Sequence, residues 1–195
     1  MQNPMSDKER RKRRRSRRIQ VIIIYTAIAV GLAWFFESQA TTTVIFVRHA
    51  EKLAVKGSDP ELSEAGRQRA AELARQLVDA DVVAGIDAIY STPFRRTEET
   101  AEPVATALNV PINSYDVANT ETIIDEIVKQ HKGKIVLVVG HRITVPAMIG
   151  NMGASKNVPD IDENEYDNIY IVSIPWFGKT KTIRLRYGAP YVPQS

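Results

Sequence analysis

The chain has 195 residues, no cysteine and only three histidines, His49, His131 and His141. Without cysteine there is no disulfide framework, no thiolate metal site and no thiol nucleophile. Three histidines leave little room for a histidine-built metal centre, so no metal and no cofactor is predicted. No internal repeat is present, and low complexity is confined to one basic run near the start. Long apolar runs are scarce too, with one conspicuous exception. What is present is a globular balance of 44% apolar and 25% charged residues, enough for one domain with a sizeable core and a short appendage. Any chemistry must come from histidine, arginine, acids and hydroxyls.

Charge is unevenly spread. Residues 1–18 hold nine basic and two acidic residues, +7, so the rest of the chain is −4 against a total of +3. The next stretch, residues 19–36, reads IQVIIIYTAIAVGLAWFF and carries no charge. At about 1.5 Å per residue its helix would span roughly 27 Å, close to a bilayer core of about 30 Å. Trp34, Phe35 and Phe36 stand where an aromatic belt would lie, and the basic run marks the cytoplasmic side. The predicted organisation is a cytoplasmic tail (1–18), a transmembrane helix (19–36) and an exported, periplasmic or extracytoplasmic domain (41–195). The rival is a signal peptide cleaved near Ala40, since Ser38-Gln39-Ala40 has small residues at the right places. A nucleic-acid-binding arm is disfavoured because the basic run lacks aromatics and adjoins an apolar span.

From Thr41 onward, short apolar runs alternate with amphipathic stretches. TVIFV at 43–47 and KIVLVV at 134–139 read as strands buried on both faces. Further strands are predicted at 86–90, 110–113, 169–174 and 182–186. Helices are predicted at 63–78, capped by Ser63, and at 93–108, capped by Thr92 with Pro103 as a kink or boundary. Two more are predicted at 121–130 and 144–151. The acidic stretch 160–167 reads as a solvated loop. Alternating strands and helices predict an α/β layered domain with a largely parallel sheet.

In such a sheet, ligands bind beyond the carboxyl ends of the strands. Three of those ends are cationic: Arg48-His49-Ala50-Glu51-Lys52, Ser91-Thr92-Pro93-Phe94-Arg95-Arg96 and Gly140-His141-Arg142. Arginine forks match phosphate oxygens, and a neutral imidazole in a cationic cage can attack phosphorus. The pieces in this order, with the Leu62–Gly66 helix start and the Glu165–Asn168 segment, resemble the histidine phosphatase superfamily, the phosphoglycerate-mutase-like family. The likeness covers residues 42–188 and implies a three-layer α/β/α sandwich. It implies that His49 is the phosphorylated nucleophile, that Arg48 and Arg96 bind the phosphoryl oxygens, and that His141 hydrogen-bonds the phosphoryl group. Arg95 is the weaker match beside Arg96.

Departures from that pattern bear on the reaction. Ala50-Glu51-Lys52-Leu53 after the first histidine favours a phosphatase over a mutase. Arg142 follows the second histidine, where related phosphatases carry an acid. The general acid then falls to Asp116, with Glu121 and Glu51 as neighbours in the choice, and Glu51 and Arg142 stand as accessory residues. The short 110–133 segment predicts an open pocket. The expected activity is metal-independent hydrolysis of a phosphorylated small molecule, lipid head group or protein through phosphohistidine. Mutase-type transfer, or a non-catalytic membrane-tethered scaffold for phosphorylated ligands, are the alternatives.

Overall fold

The computed structural model describes residues 7–38, 41–55, 59–79, 85–155 and 157–193. The proposed cleavage position near Ala40 lies outside them. The chain forms two compact units, residues 1–39 and 40–195.

The first unit is one helix, α1 (Asp7–Ser38). It runs without a break from the basic run through the apolar stretch, because arginine, lysine, leucine and alanine all favour helix and no proline interrupts them. Within it, Lys8–Phe36 is long and apolar enough to cross a membrane, by length and composition.

The second unit is a six-stranded sheet with helices on both faces. Its strands are β1 (Thr41–Arg48), β2 (Ala88–Ser91), β3 (Ile112–Ser114), β4 (Ile135–Gly140), β5 (Asn168–Pro175) and β6 (Lys181–Arg186), in the order β3-β2-β4-β1-β5-β6. The first four in that order run parallel, and β5 and β6 are antiparallel additions. The sheet is therefore mixed, with a parallel centre. One face packs Val44, Phe46, Val136 and Val138 against α4 (Thr120–Gln130) and α5 (Thr144–Asn151). The other packs Ile45, Val47, Leu137 and Val139 against α2 (Glu64–Val78) and α3 (Arg95–Leu108). Alternate side chains of β1 and β4 thus enter opposite cores, which explains why both strands are apolar through their centres.

Several boundaries differ from expectation for local reasons. Ser63 does cap α2, its hydroxyl accepting from Gly66 N–H. Helix α3 begins at Arg95 rather than Pro93, and its N-cap position is Phe94, not Thr92. The Thr92 hydroxyl is held instead by Thr97 and His141. Pro103 lies inside α3, which continues to Leu108. That helix ends with Asn109 in the left-handed region (φ 54°) and Val110 N–H donating to Ala105 O. Pro111 has no N–H to give a ladder, so β3 starts at Ile112 instead of Val110. A 3-10 turn, Val117–Asn119, precedes α4.

Two features of this topology place the site. Parallel β1, β2 and β4 bring His49, Thr92 and His141 to one rim, with Arg48 in register with Gly140 and Ser91 with Val139. Antiparallel β5 pairs Ile169 with Val47, so its preceding loop arrives at that same rim.

Candidate active site

His49 follows β1 directly and is held on both sides. Its N–H donates to Gly140 O at the end of β4 (2.9 Å). Its Nδ1 lies 2.8 Å from Ala50 O. A carbonyl oxygen can only accept, so Nδ1 carries the proton and Nε2 keeps its lone pair. The ring is 5% exposed. Burial pushes its pKa down to about 3, and the charges of Arg48, His141 and Arg96 act in the same direction against the Ala50 carbonyl. The imidazole is therefore neutral at any ordinary pH, with Nε2 available as a nucleophile.

The next turn is fixed by its neighbours. Ala50 N–H donates to Thr100 Oγ1 on α3 (2.9 Å). The Glu51 carboxylate grips Arg69 of α2 with both oxygens, at 2.8–2.9 Å. Glu51 O accepts from Ser63 N–H, and Gly66 packs so close to it that a Cβ there would overlap that oxygen. Glycine in the LSEAG stretch thus serves close approach of α2 to the loop carrying His49.

His141 follows β4. Its ring centroid lies 5.4 Å from that of His49, edge on. Its Nε2 is 3.0 Å from Thr92 Oγ1, and Phe94 meets the ring edgewise at 5.5 Å. Burial, then the Arg96 and Arg48 charges, lower its pKa to about 4. Gly140 before it is crowded by Thr144, Tyr115 and Val145, each 3.1 Å from where a Cβ would stand.

The cations are also positioned. Arg48 Nη1 donates to Asp162 O (2.8 Å) and Glu165 O (2.9 Å), and its guanidinium stacks 3.9 Å from the Tyr166 ring centre. Its buried Nε has no hydrogen-bond partner among the described residues. A buried donor without a partner is costly. Arg96 lies over the Phe94 ring (4.4 Å) with Asp59 as a loose ionic neighbour at 3.7 Å. Arg142 is exposed, and its charge bears on Arg48. Arg95 points elsewhere and pairs with Glu61 at 2.8 Å.

The acidic 160–167 stretch is only in part the solvated loop expected from its composition, with Asp160, Asp162, Glu163 and Asn164 exposed. Ile161, Glu165 and Asp167 are buried. Arg186 binds Asp167 (2.6 Å) and Glu165 (3.0 Å), and Tyr191 N–H donates to Asp167. These pairings hold the carbonyls of Asp162 and Glu165 where Arg48 needs them. Composition gave no signal for this, because the partners lie beyond β5, about twenty residues on.

The carboxyls expected to take part are exposed or engaged by other groups. Asp116 is exposed and caps the 3-10 turn, accepting from Ala118 N–H (2.9 Å) and Asn119 (3.3 Å). Glu51 is engaged by Arg69. Glu121 is exposed in the first turn of α4. Among the described residues, no group of three or more His, Asp or Glu is arranged to hold a metal. A cavity of about 420 Å³ beside α3 is lined by Arg95, Glu98, Glu99 and Glu102, net negative, and does not include His49. Sequence reasoning missed Thr92 and Thr100 as side chains that orient the site, and Tyr166 as the ring under Arg48.

Comparison with known proteins gives the same picture. No curated protein matches the sequence. The protein histidine phosphatase SixA complexed with tungstate is 21% identical, with a TM-score of 0.60 over 74% of this chain and 96% of that one. YhfR of Bacillus stearothermophilus is 19% identical (TM-score 0.54; 67% and 90%). A mycobacterial glucosyl-3-phosphoglycerate phosphatase with inorganic phosphate is 15% identical (TM-score 0.54; 76% and 97%). At such identities the likeness is one of fold. Residues 44–117, which carry Arg48, His49 and Arg96, match the family model of the histidine phosphatase superfamily (branch 1).

Proposed function

We propose that this domain is a phosphatase that works through a phosphohistidine at His49 Nε2. The observation that carries the proposal is the His49 ring itself: Nδ1 pinned to Ala50 O, Nε2 unprotonated, and Arg48, Arg96 and His141 converging on it. The Nε2 lone pair attacks phosphorus while the bond to the leaving group breaks. Arg48 Nε and Arg96 stabilise the equatorial oxygens, and preorganised charge of this kind dominates phosphoryl transfer. Water then attacks the phosphorus, the P–N bond breaks, and His49 returns to its neutral form with phosphate released.

The leaving group's proton is the open place in this scheme, and it bears on substrate. Asp116 would have to leave its cap, and Glu51 its arginine, to act as the acid. A substrate whose leaving group departs without a strong acid suits the site better. Phosphohistidine on a protein is such a substrate, and SixA, which shares the fold, is a protein histidine phosphatase. A basic residue, Arg142, at the mouth favours an acidic partner. The helix α1 serves as a single-pass anchor, with the basic tail on the cytoplasmic side and the domain on the other.

The test compares a phosphohistidine peptide, an aryl phosphate and an alkyl phosphate as substrates. Turnover of the first two well above the third is expected, and its loss in His49→Ala. Equal turnover in His49→Ala would overturn the phosphohistidine route, and a preference for the alkyl ester would require a carboxylic acid in the site.

A further inference from the structure

The two arginines assigned to phosphate are held in different ways. Arg48 is fixed by the carbonyls of Asp162 and Glu165, which carry no net charge. Arg96 is held by the Phe94 ring and by one ion-pair partner among the described residues, Asp59, whose Oδ1 lies 3.7 Å from Arg96 Nη1. The Arg96 side chain is 15% exposed and that of Asp59 37%. Across such a distance two charges still feel each other where water screens them only in part.

The carboxylate is fixed in place. Asp59 Oδ1 also accepts from Arg95 N–H at the start of α3 (3.0 Å). Phe94, at the N-cap position, makes no side-chain cap hydrogen bond. Asp59 thus supplies from another segment the cap that α3 lacks. The residues after it are tied down as well. Leu62 is fully buried, and its N–H donates to Glu99 of α3 (2.7 Å). Leu53 N–H donates to Glu61 O (2.9 Å), which fastens the segment to the loop after His49. A fixed negative charge therefore stands beside Arg96. Arg96 in turn reaches the reacting groups, since its charge bears on both His49 and His141.

A phosphatase must release phosphate, an anion with the same oxygens that its arginines grip in the transition state. A cage that held both equally well would slow turnover at product release. Asp59 offsets part of the Arg96 charge and repels an anion bound there. We propose that Asp59 is a counter-ion that limits how tightly Arg96 holds phosphate, and so lets the product leave. It acts through Arg96 and is a positioning residue, with a role distinct from the proton donation considered for Asp116, Glu121 and Glu51. The proposal rests on the reading of the site as a phosphatase in which Arg96 grips phosphoryl oxygens.

Asp59→Asn separates the two roles of the side chain, because an amide oxygen still accepts from Arg95 N–H while the charge is gone. The full chain in detergent is assayed on an aryl phosphate with inorganic phosphate as inhibitor, and phosphate binding is measured directly by calorimetry. Inorganic phosphate should bind Asp59→Asn about tenfold more tightly than wild type. Asp59→Glu, which keeps the charge, should stay near wild type. A merely structural role would weaken binding instead. Phosphate should bind Arg96→Ala more weakly than wild type, and adding Asp59→Asn to Arg96→Ala should bring no tightening. Unchanged or weaker phosphate binding in folded Asp59→Asn, with Arg96→Ala still impaired, would overturn this proposal and leave the site standing. Equal binding by wild type and Arg96→Ala would overturn both. Asp59→Ser, a second uncharged capping residue, replaces the asparagine variant if that one does not fold. Failure of both to fold would make the carboxylate purely structural and would also overturn the proposal.

Discussion

Two buried neutral imidazoles make acid sensitivity a direct measure of the site. His49 in an unfolded chain has a pKa near 6.5 and in the fold about 3. Between those values the unfolded chain binds a proton that the folded one does not, so stability falls as pH falls below 6.5. Above 6.5 both states are neutral and nothing is lost. Integrated from pH 6.5 to pH 4.5, one such histidine removes about 2 kcal/mol. His141, at about 4 when folded, loses stability in the same direction over a narrower window. Against a total of about 5–15 kcal/mol for a domain, the effect is large. Carboxylates titrate nearby, so the comparison must be with His49→Asn, which lacks the group. Urea unfolding of the full chain in detergent, followed by circular dichroism at several pH values, gives the slopes. Wild type should fall more steeply than His49→Asn, by about 1.3 kcal/mol per pH unit near pH 5. Parallel slopes would refute the claim that His49 is sequestered and neutral.

Other substitutions probe the surrounding structure. Arg48→Lys keeps the charge but loses the planar group whose Nη1 holds Asp162 O and Glu165 O while its Nε stays free, and kcat/KM for an aryl phosphate should drop by roughly 100-fold or more. Gly66→Ala improves helix propensity yet drives a Cβ into Glu51 O, so a net loss of about 1–3 kcal/mol is expected by denaturant unfolding. A stability gain there would contradict the close approach of α2. Thr92→Val removes the side-chain partner of His141 Nε2, and kcat should fall about tenfold with KM little changed and Thr92→Ser restoring it. An equal fall for serine would assign the loss to packing.

Much of this was legible in the chain because it depends on local pattern. The apolar runs at 43–47 and 134–139 read as buried strands, which put the polar residues straight after them at strand ends. Ser63 announced its helix by capping chemistry. What sequence did not show depended on partners far along the chain. Thr92 looked like a cap, but its hydroxyl turns to Thr97 and His141, the latter 49 residues away. Glu165 and Asp167 looked solvated, but Arg186 neutralises them across the antiparallel β5–β6 pair, and Arg48 is fixed by the loop they hold. Nothing in the residue pattern of the two antiparallel strands marks their direction, so it was invisible. That direction brings Tyr166 under Arg48.

The most direct test of the central claim is rapid acid-free quenching during turnover, followed by mass spectrometry of the His49 peptide. A single phosphoryl group on His49 Nε2, stable to base, lost in mild acid and absent from Arg48→Ala, is the predicted result. Steady turnover with no phosphoryl group on His49, or with the group on any other residue, would contradict the account.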